Sequence, residues 1–412
     1  MAVLFSPVGD ADRTGLDFEN EGAVLHILRN YPDIDSAVLY LSADQVERHN
    51  KDPFDAYIDL VRPDLTREYI KRPQLTDPHH FDTAFYGDFS SAFSDISEKH
   101  SGQTVYVNLS SGTPAMKSAL LVLVELGSHR ITPLQVDHPK YASGVRVHEV
   151  PTENFRKLIT IESVKKLVEK YDYPGARSLA KDVLEDDRMA LIDGLVDRYE
   201  LRTGAARKKL GFMANEYIGS CTQIGKTFEY LQYLEVLYEK GDWASYLRAT
   251  DPAVVNVLLQ VVDTFTEYSR EHLVKTEGTA TLNVDIVSKN QVLSKIFAQD
   301  LLKIEQNVSR GKSKDIFLTW YPLRELIKES AEGLDPALFA MLRDSTLDSL
   351  QNERNKFVHS YQMIVAVNAK QQADRWKGFL YPLLEAAAIK KNEKLPARDS
   401  YGKLNKAIIA ML

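Results

Sequence analysis

The sequence predicts an α/β, Rossmann-like domain over residues 1–150, followed by an all-α region that runs to residue 412. Three observations predict it. Up to about residue 150, strand-length apolar runs alternate with amphipathic helical stretches. Gly- and Pro-rich turns separate those runs. From about Glu153 onward the alternation stops, and apolar spacings of three and four dominate. A chain of 412 residues with 44% hydrophobic content holds more than one core, so two or three domains are expected. The divisions expected are 1–150, 151–255 and 256–412.

The elements follow in order. Ala2 to Ser6 is a short apolar strand, and Pro7 to Gly15 is a turn-rich loop. Val24, Leu25, Ile27 and Leu28 form the apolar face of a helix that Tyr31-Pro32 ends, and Ala37 to Leu41 is the next strand. These make one βαβ unit. A second runs from a strand at Thr104 to Leu109, through Ser110-Ser111-Gly112-Thr113-Pro114, along a helix to Leu126 and into a strand near Pro133 to Val136. Residues 42–100 should hold at least one more strand and helix, but Pro53, Pro63, Pro73 and Pro78 interrupt the pattern and leave its boundaries unassigned. Beyond Glu153, helices are expected to break at Tyr173-Pro174, Gly241-Asp242, Asp251-Pro252 and Gly333 to Pro336.

Composition excludes several classes of function. A single cysteine, Cys221, forms neither an internal disulfide nor a thiolate metal cluster. No apolar run approaches the ~20 residues of a membrane span, and no basic leader precedes the first apolar stretch, so a cytoplasmic protein without membrane contact is expected. Gly225-Lys226-Thr227 resembles the end of a P-loop, but Gly219 lies one residue too far upstream. The first βα loop lacks the close Gly-x-Gly turn of a dinucleotide site. His79-His80 are adjacent and diverge, and no His or carboxylate group has metal-ligand spacing, so no metal is expected. The net charge of -7 means that any contact with a phosphate backbone must be local.

Two segments carry chemistry. A helix is expected from roughly Ala337 to Tyr361, with Leu347, Leu350, Phe357 and Val358 on one apolar stripe. At roughly 100° per residue, Arg354 falls inside that stripe, while Asn355 and His359 lie just beyond its edge. An unpaired guanidinium on a packed face costs several kcal/mol, so it must meet a carboxylate, a cluster of backbone carbonyls or a phosphate brought by a ligand. In the N-terminal domain, Thr113 and Pro114 have the pattern of a helix N-cap and first helical residue at the end of a strand. The exposed amides and helix dipole there favour an anion, and Lys117 in the first turn would add positive charge. The loop Gly9-Asp10-Ala11-Asp12-Arg13 should lie at the same sheet edge and close over one ligand, although the same composition also suits a plain βα turn.

Arg354-Asn355-x3-His359 near the end of a helical region resembles the HEPN ribonuclease family, and residues 5–12 with 108–114 resemble the CARF domain. In this order, and over the whole chain, they are similar to the Csm-type CARF-HEPN ancillary ribonucleases of type III CRISPR systems. The resemblance implies a CARF sensor at 1–150, a helical linker at 151–255 and a HEPN domain at 256–412. It implies a homodimer whose sensor binds cyclic oligoadenylate, leaning to the six-adenylate ring, with contacts from Gly9, Asp10, Asp12, Arg13, Ser111, Gly112, Thr113 and Lys117. Asp10 would then need Arg13 or a base amino group to offset its charge. It further implies cleavage of single-stranded RNA without metal or other cofactor, leaving 2',3'-cyclic phosphate ends, with Arg354, Asn355 and His359 catalytic where two copies meet. Slow cleavage of the activator by Thr113 with Asp12 belongs to the same resemblance. A non-catalytic ligand-sensing regulator and a constitutive HEPN toxin ribonuclease are the alternatives.

Overall fold

Successive side chains of the first strand point to opposite faces of a sheet, and both faces are covered. The computed structural model describes the chain apart from residues 1, 17–20, 50, 52, 80–82, 127–130, 142–143, 152, 277–278, 314, 345–346 and 349–365. It divides into two units, residues 1–159 and 160–412.

The N-terminal unit is built on a six-stranded sheet. Its strands are β1 (Ala2–Pro7), β2 (Ile34–Leu41), β3 (Thr66–Lys71), β4 (Thr104–Asn108), β5 (Ile131–Val136) and β6 (Val147–Glu149), in the order β3-β2-β1-β4-β5-β6. All neighbours are parallel except β5 and β6. Ala2 and Leu4 face helices α1 (Ala23–Asn30) and α3 (Phe54–Val61), where Val24, Leu25, Ile27, Leu28, Phe54 and Ile58 complete one core. Val3 and Phe5 face α4 (Thr83–Lys99) and α5 (Pro114–Leu126), where Phe85, Phe89, Phe93, Met116 and Leu120 complete the other. Both expected βαβ units are present. Residues 42–100 supply α2 (Ala43–His49), α3, β3 and α4. The four prolines that obscure this stretch lie in its connections: Pro53 caps α3, and Pro63, Pro73 and Pro78 fall between elements.

The second unit is mostly helical. Helix α6 (Glu153–Glu169) crosses the division and leads to α7 (Tyr173–Ala180), α8 (Asp186–Tyr199), α9 (Thr203–Leu210), α10 (Ala214–Tyr217), α11 (Gln223–Glu239) and α12 (Trp243–Phe265). Asp172 and Asp242 cap α7 and α12 at two of the expected breaks. The break expected at Asp251-Pro252 does not occur, because Pro252 lies inside α12. An interior proline costs about 3 kcal/mol. Burial of Val254, Val257, Leu258, Leu259, Val261 and Val262 just beyond it, at about 1.5–3 kcal/mol each, outweighs that. α12 also runs through residue 255, where a division was expected. A small antiparallel hairpin, β7 (Val274–Thr276) with β8 (Thr279–Leu282), interrupts the helices. Its strands are too short to show alternation in the sequence.

After α13 (Arg270–Leu273), α14 (Val284–Val287), α15 (Gln291–Ile296), α16 (Ala298–Ser309) and α17 (Trp320–Ser330), the helix expected from Ala337 to Tyr361 is interrupted at Asp344; residues 347 and 348 are helical again, and the rest of that expectation falls in 349–365, outside the described residues. The part before the interruption is Pro336–Arg343 (α18), and Asp344 is extended, with φ −64° and ψ 122°. The cause is Arg324 of α17, which is buried and takes the carbonyls of Leu342 (2.6 Å) and Asp344 (3.2 Å) at the helix end. Helix α19 (Ala366–Lys390) then packs on α12 and α11, and α20 (Ser400–Met411) returns to the first helices of the unit. There Tyr401, Leu404 and Ile408 join Val164, Val168, Tyr173, Ile192 and Leu195 in one core. No helix among the described residues is long and apolar enough to cross a membrane.

An ion pair lies buried between these helices. Arg198 of α8 donates to Glu229 of α11 at 2.8 and 3.1 Å and to the Ser400 hydroxyl at 2.7 Å, with its guanidinium carbon 3.8 Å from the Tyr401 ring centroid. Both side chains are almost wholly excluded from water. Glu229→Ala leaves a buried cation without its carboxylate and is expected to destabilise the protein by about 3–5 kcal/mol. The double change Arg198→Met with Glu229→Leu should recover most of that loss; denaturant unfolding of the full chain measures both.

Candidate functional site

The connection from β1 turns toward β2, while that from β4 turns toward β5, so the two loops part at the carboxyl edge between adjacent strands. Ligands of open α/β sheets bind at such a point.

Asp12 ties the loops together. It lies in a single 3-10 turn, Asp10–Arg13, and is 1% exposed. One carboxylate oxygen accepts the Gly9 amide at 2.8 Å. The other accepts the Val24 amide of α1 at 3.1 Å and the Ser111 hydroxyl at 2.9 Å. Burial pushes the Asp12 carboxyl upward, against the opposing pull of these three donors. Ser111 in turn accepts from the Asn108 side-chain amide at 2.7 Å, and the same amide reaches the Ser6 hydroxyl at 2.9 Å. Asn108 also accepts the Ser110 amide at 2.8 Å, and the Ser110 hydroxyl accepts the Val136 amide at 2.7 Å. Strands β1, β4 and β5 are thus linked at one edge through side chains.

The glycines permit this approach. Gly112 has φ +81°, and a Cβ there would stand 2.7 Å from the Pro7 Cβ. A Cβ on Gly9 would lie 3.2 Å from the Gly112 nitrogen. Next, the Thr113 hydroxyl accepts the Met116 amide at 3.3 Å, as an N-cap does, and donates to the Pro78 carbonyl at 2.5 Å. α5 begins at that point, so its dipole favours an anion there. Lys117 stands half-exposed in the first turn, and its ammonium has no partner among the described residues.

The structure therefore brings Gly9, Asp12, Ser111, Gly112 and Thr113 together, with Lys117 beside them. Asp12 and Ser111 are turned inward as braces. Asp10 and Arg13 turn aside, toward α2 and α3. Asp10 accepts from Gln45 at 2.7 Å and from Arg48 at 2.8 Å, so Arg48 rather than Arg13 offsets its charge. Arg13 donates to Gln45 at 2.8 Å and lies over the Phe54 ring.

The sequence assigns no role to Asn108, which lies in the 108–114 segment, and does not reveal a second buried cluster in the same unit. Glu21 holds His26 Nδ1 at 2.7 Å and Arg29 Nε at 2.7 Å. His26 Nε2 accepts the Arg146 amide at 3.0 Å, which leaves the ring proton on Nδ1, facing Glu21. The Arg146 guanidinium reaches the carbonyls of Glu21 (2.9 Å) and Asp137 (3.0 Å), joining the start of α1 to the segment between β5 and β6. A separation of 120 residues and more hides this in the sequence.

Arg354, Asn355 and His359 fall within 349–365 and lie outside the described residues, as do Leu350, Phe357 and Val358 of the expected stripe. Leu347 is buried in the core of the helical unit. Among the described residues, no group of three or more His, Cys, Asp or Glu is arranged to hold a metal ion.

Three family models match the chain in series. The Cas_Csm6 CARF domain matches residues 68–159, the CRISPR-associated protein Csm6 6H domain 150–199, and the Cas_Csm6 HEPN domain 219–409. The CRISPR system endoribonuclease Csm6 of Mycobacterium tuberculosis is 29% identical over 293 residues, covering 63% of this chain and 68% of that protein. The CRISPR system endoribonuclease Csm6' of Streptococcus thermophilus is 28% identical over 211 residues, covering 47% of this chain and 52% of that protein. Enterococcus italicus Csm6 bound to cyclic hexa-2'-fluoro-hexa-dAMP shares the fold over 100% of both chains, with a TM-score of 0.69 at 18% identity.

The Glu21 cluster has a pH signature. Burial alone would raise this carboxyl, but the bonds from His26 and Arg29 outweigh it and hold it below the ordinary glutamate value. The unfolded chain therefore binds the proton at higher pH than the folded one, so stability present at neutral pH is lost as pH falls below that ordinary value. Glu21→Gln should flatten this acid limb of the denaturation profile; an unchanged slope in the variant would remove Glu21 as its source.

Proposed function

The chain belongs to the Csm6 family of CRISPR-system CARF-HEPN endoribonucleases, and from that we propose a single-stranded RNA endonuclease switched on by a cyclic oligoadenylate. The observation that carries the sensing half is the Asp12–Ser111 bond, which fixes two glycine-bearing loops beside the N-terminus of α5.

In this reading the sensor spans residues 1–150, with Gly9, Gly112, Thr113 and Lys117 against the activator's phosphates and sugars. The exposed amides and dipole of α5 take a phosphate, and Lys117 adds charge. Asp12 and Ser111 act on the ligand only through the loops they brace. Asp10 and Arg13 form an outer rim. The activator is the six-adenylate ring, in keeping with the ligand named for the Enterococcus structure. A ring presents repeated phosphates, which suits a homodimer of sensors. Slow in-line cleavage of the bound activator beside Thr113 is part of the proposal. In this reading residues 151–255 link the two, and residues 256–412, which lie almost wholly within the HEPN match at 219–409, carry the nuclease.

For the nuclease half, the residue types suit cleavage without a metal. The 2'-hydroxyl oxygen attacks the adjacent phosphorus, and the bond from phosphorus to the 5'-oxygen breaks. His359 takes or returns the proton, Arg354 holds the charged equatorial oxygens in a bidentate contact, and Asn355 orients its neighbour. The products are a 2',3'-cyclic phosphate and a 5'-hydroxyl. Two copies of the motif, one from each protomer, would complete the site. The proposal places the protein in the cytoplasm.

Cleavage of a labelled single-stranded RNA with and without cyclic hexaadenylate tests the whole reading. His359→Ala should lower the activated rate by about 10²–10⁴-fold while activator binding stays intact. Equal rates for variant and wild type would discard the catalytic assignment. Thr113→Ala should raise the half-maximal activator concentration about tenfold, the loss of roughly one good hydrogen bond. Chelator should leave the rate unchanged, and products whose terminal phosphate a phosphatase removes only after acid treatment would identify the cyclic ends. Activity equal without activator would select a constitutive enzyme instead.

A further inference from the structure

Arg324 is a charged residue that the helical core has no need of for packing. Its side chain is 3% exposed on α17, within an apolar core formed by Leu323, Leu326, Ile327 and Leu342. Each nitrogen of its planar fork serves a different acceptor. Nε donates to the Leu342 carbonyl at 2.6 Å, Nη2 to the Asp344 carbonyl at 3.2 Å, and Nη1 to the Asp348 carboxylate at 2.7 Å. The guanidinium carbon also stands 5.2 Å from the Trp320 ring centroid, so the fork is held from its own helix as well.

The first two bonds finish a helix end, which a capping group does anywhere. The third does more. It reaches past the helix end to a side chain on the following segment, and beside it Leu347 is buried in the same core. Asp348 stands six residues before Arg354, at most about 20 Å of chain. On the far side, α19 is fixed by Ala369, Ala373 and Trp376, each fully buried.

We infer that Arg324 and Asp348 are positioning residues for RNA cleavage: their ion pair fixes the chain at Asp348, six residues before Arg354. Only the planar, five-donor group of arginine serves three divergent acceptors at once. Displacement of a catalytic group by ~1 Å can cost roughly 100-fold in rate, so an anchor at this point acts on turnover rather than on substrate affinity. The inference rests on the reading of Arg354 and His359 as the catalytic pair.

The experiment measures RNA cleavage at saturating cyclic hexaadenylate with full-length protein. Asp348→Asn removes the ion pair and leaves both carbonyl bonds of Arg324 in place. It is expected to lower kcat by roughly 10- to 100-fold, with KM for RNA, the activator dose curve and the melting temperature unchanged. Asp348→Glu keeps the carboxylate and should restore part of kcat. Arg324→Lys should lower kcat too, and combining it with Asp348→Asn should add little further loss, because the two residues act as one unit. A wild-type kcat in Asp348→Asn, or a loss that follows the melting temperature and is not recovered by Asp348→Glu, overturns the inference. His359→Ala separates the two readings. If that variant is inactive while Asp348→Asn is fully active, only the positioning role fails; if His359→Ala itself cuts RNA normally, the catalytic pair fails first.

Discussion

Everything at the sensor edge depends on keeping one carboxylate in a place where water cannot reach it. Asp12 bears a charge that burial disfavours, and it persists because two backbone amides and the Ser111 hydroxyl are aimed at it. Those donors come from three separate pieces of chain: the first loop, the start of α1 and the loop after β4. A carboxylate satisfied by three pieces holds all three in register. The neighbouring glycines follow from that demand, since loops drawn this close leave no room for a Cβ at Gly112.

Much of this unit could be read from the chain, and the reason is local. The apolar periods of β1, α1, β4 and α5 survive in isolation, and so does the cap at Thr113. What could not be read depends on long separations. Glu21 and Arg146 meet only because β6 returns antiparallel beside β5, and nothing in either local sequence records the other. Asp10 and Arg13 lie beside Asp12 in sequence, yet the 3-10 turn points them to Gln45. Proximity along the chain was there a poor guide to proximity in space.

In the helical unit the misreadings share a cause, namely tertiary packing overriding local propensity. Pro252 marks a break by every local rule, but the buried valines and leucines after it keep α12 continuous. The run after Pro336 reads as one long helix, but Arg324 claims two of its carbonyls and interrupts it after Arg343. Both buried arginines among the described residues of this unit, Arg198 and Arg324, join segments distant in sequence. Periodicity reports faces of helices and says nothing of such joints.

The return of α20 has a consequence in time as well as in space. Val168 and Tyr173 find their partner Asn405, and Tyr401 and Ile408 complete a core begun some 230 residues earlier in the chain. Synthesis proceeds from the N-terminus, and a core with contacts this distant in sequence closes late. While the nascent chain is on the ribosome, α6 to α9 await a helix not yet made. The sensor, whose strands all lie within its first 150 residues, has no such wait. The N-terminal sheet can therefore be complete while the helical core that α20 closes is still waiting for its last partner.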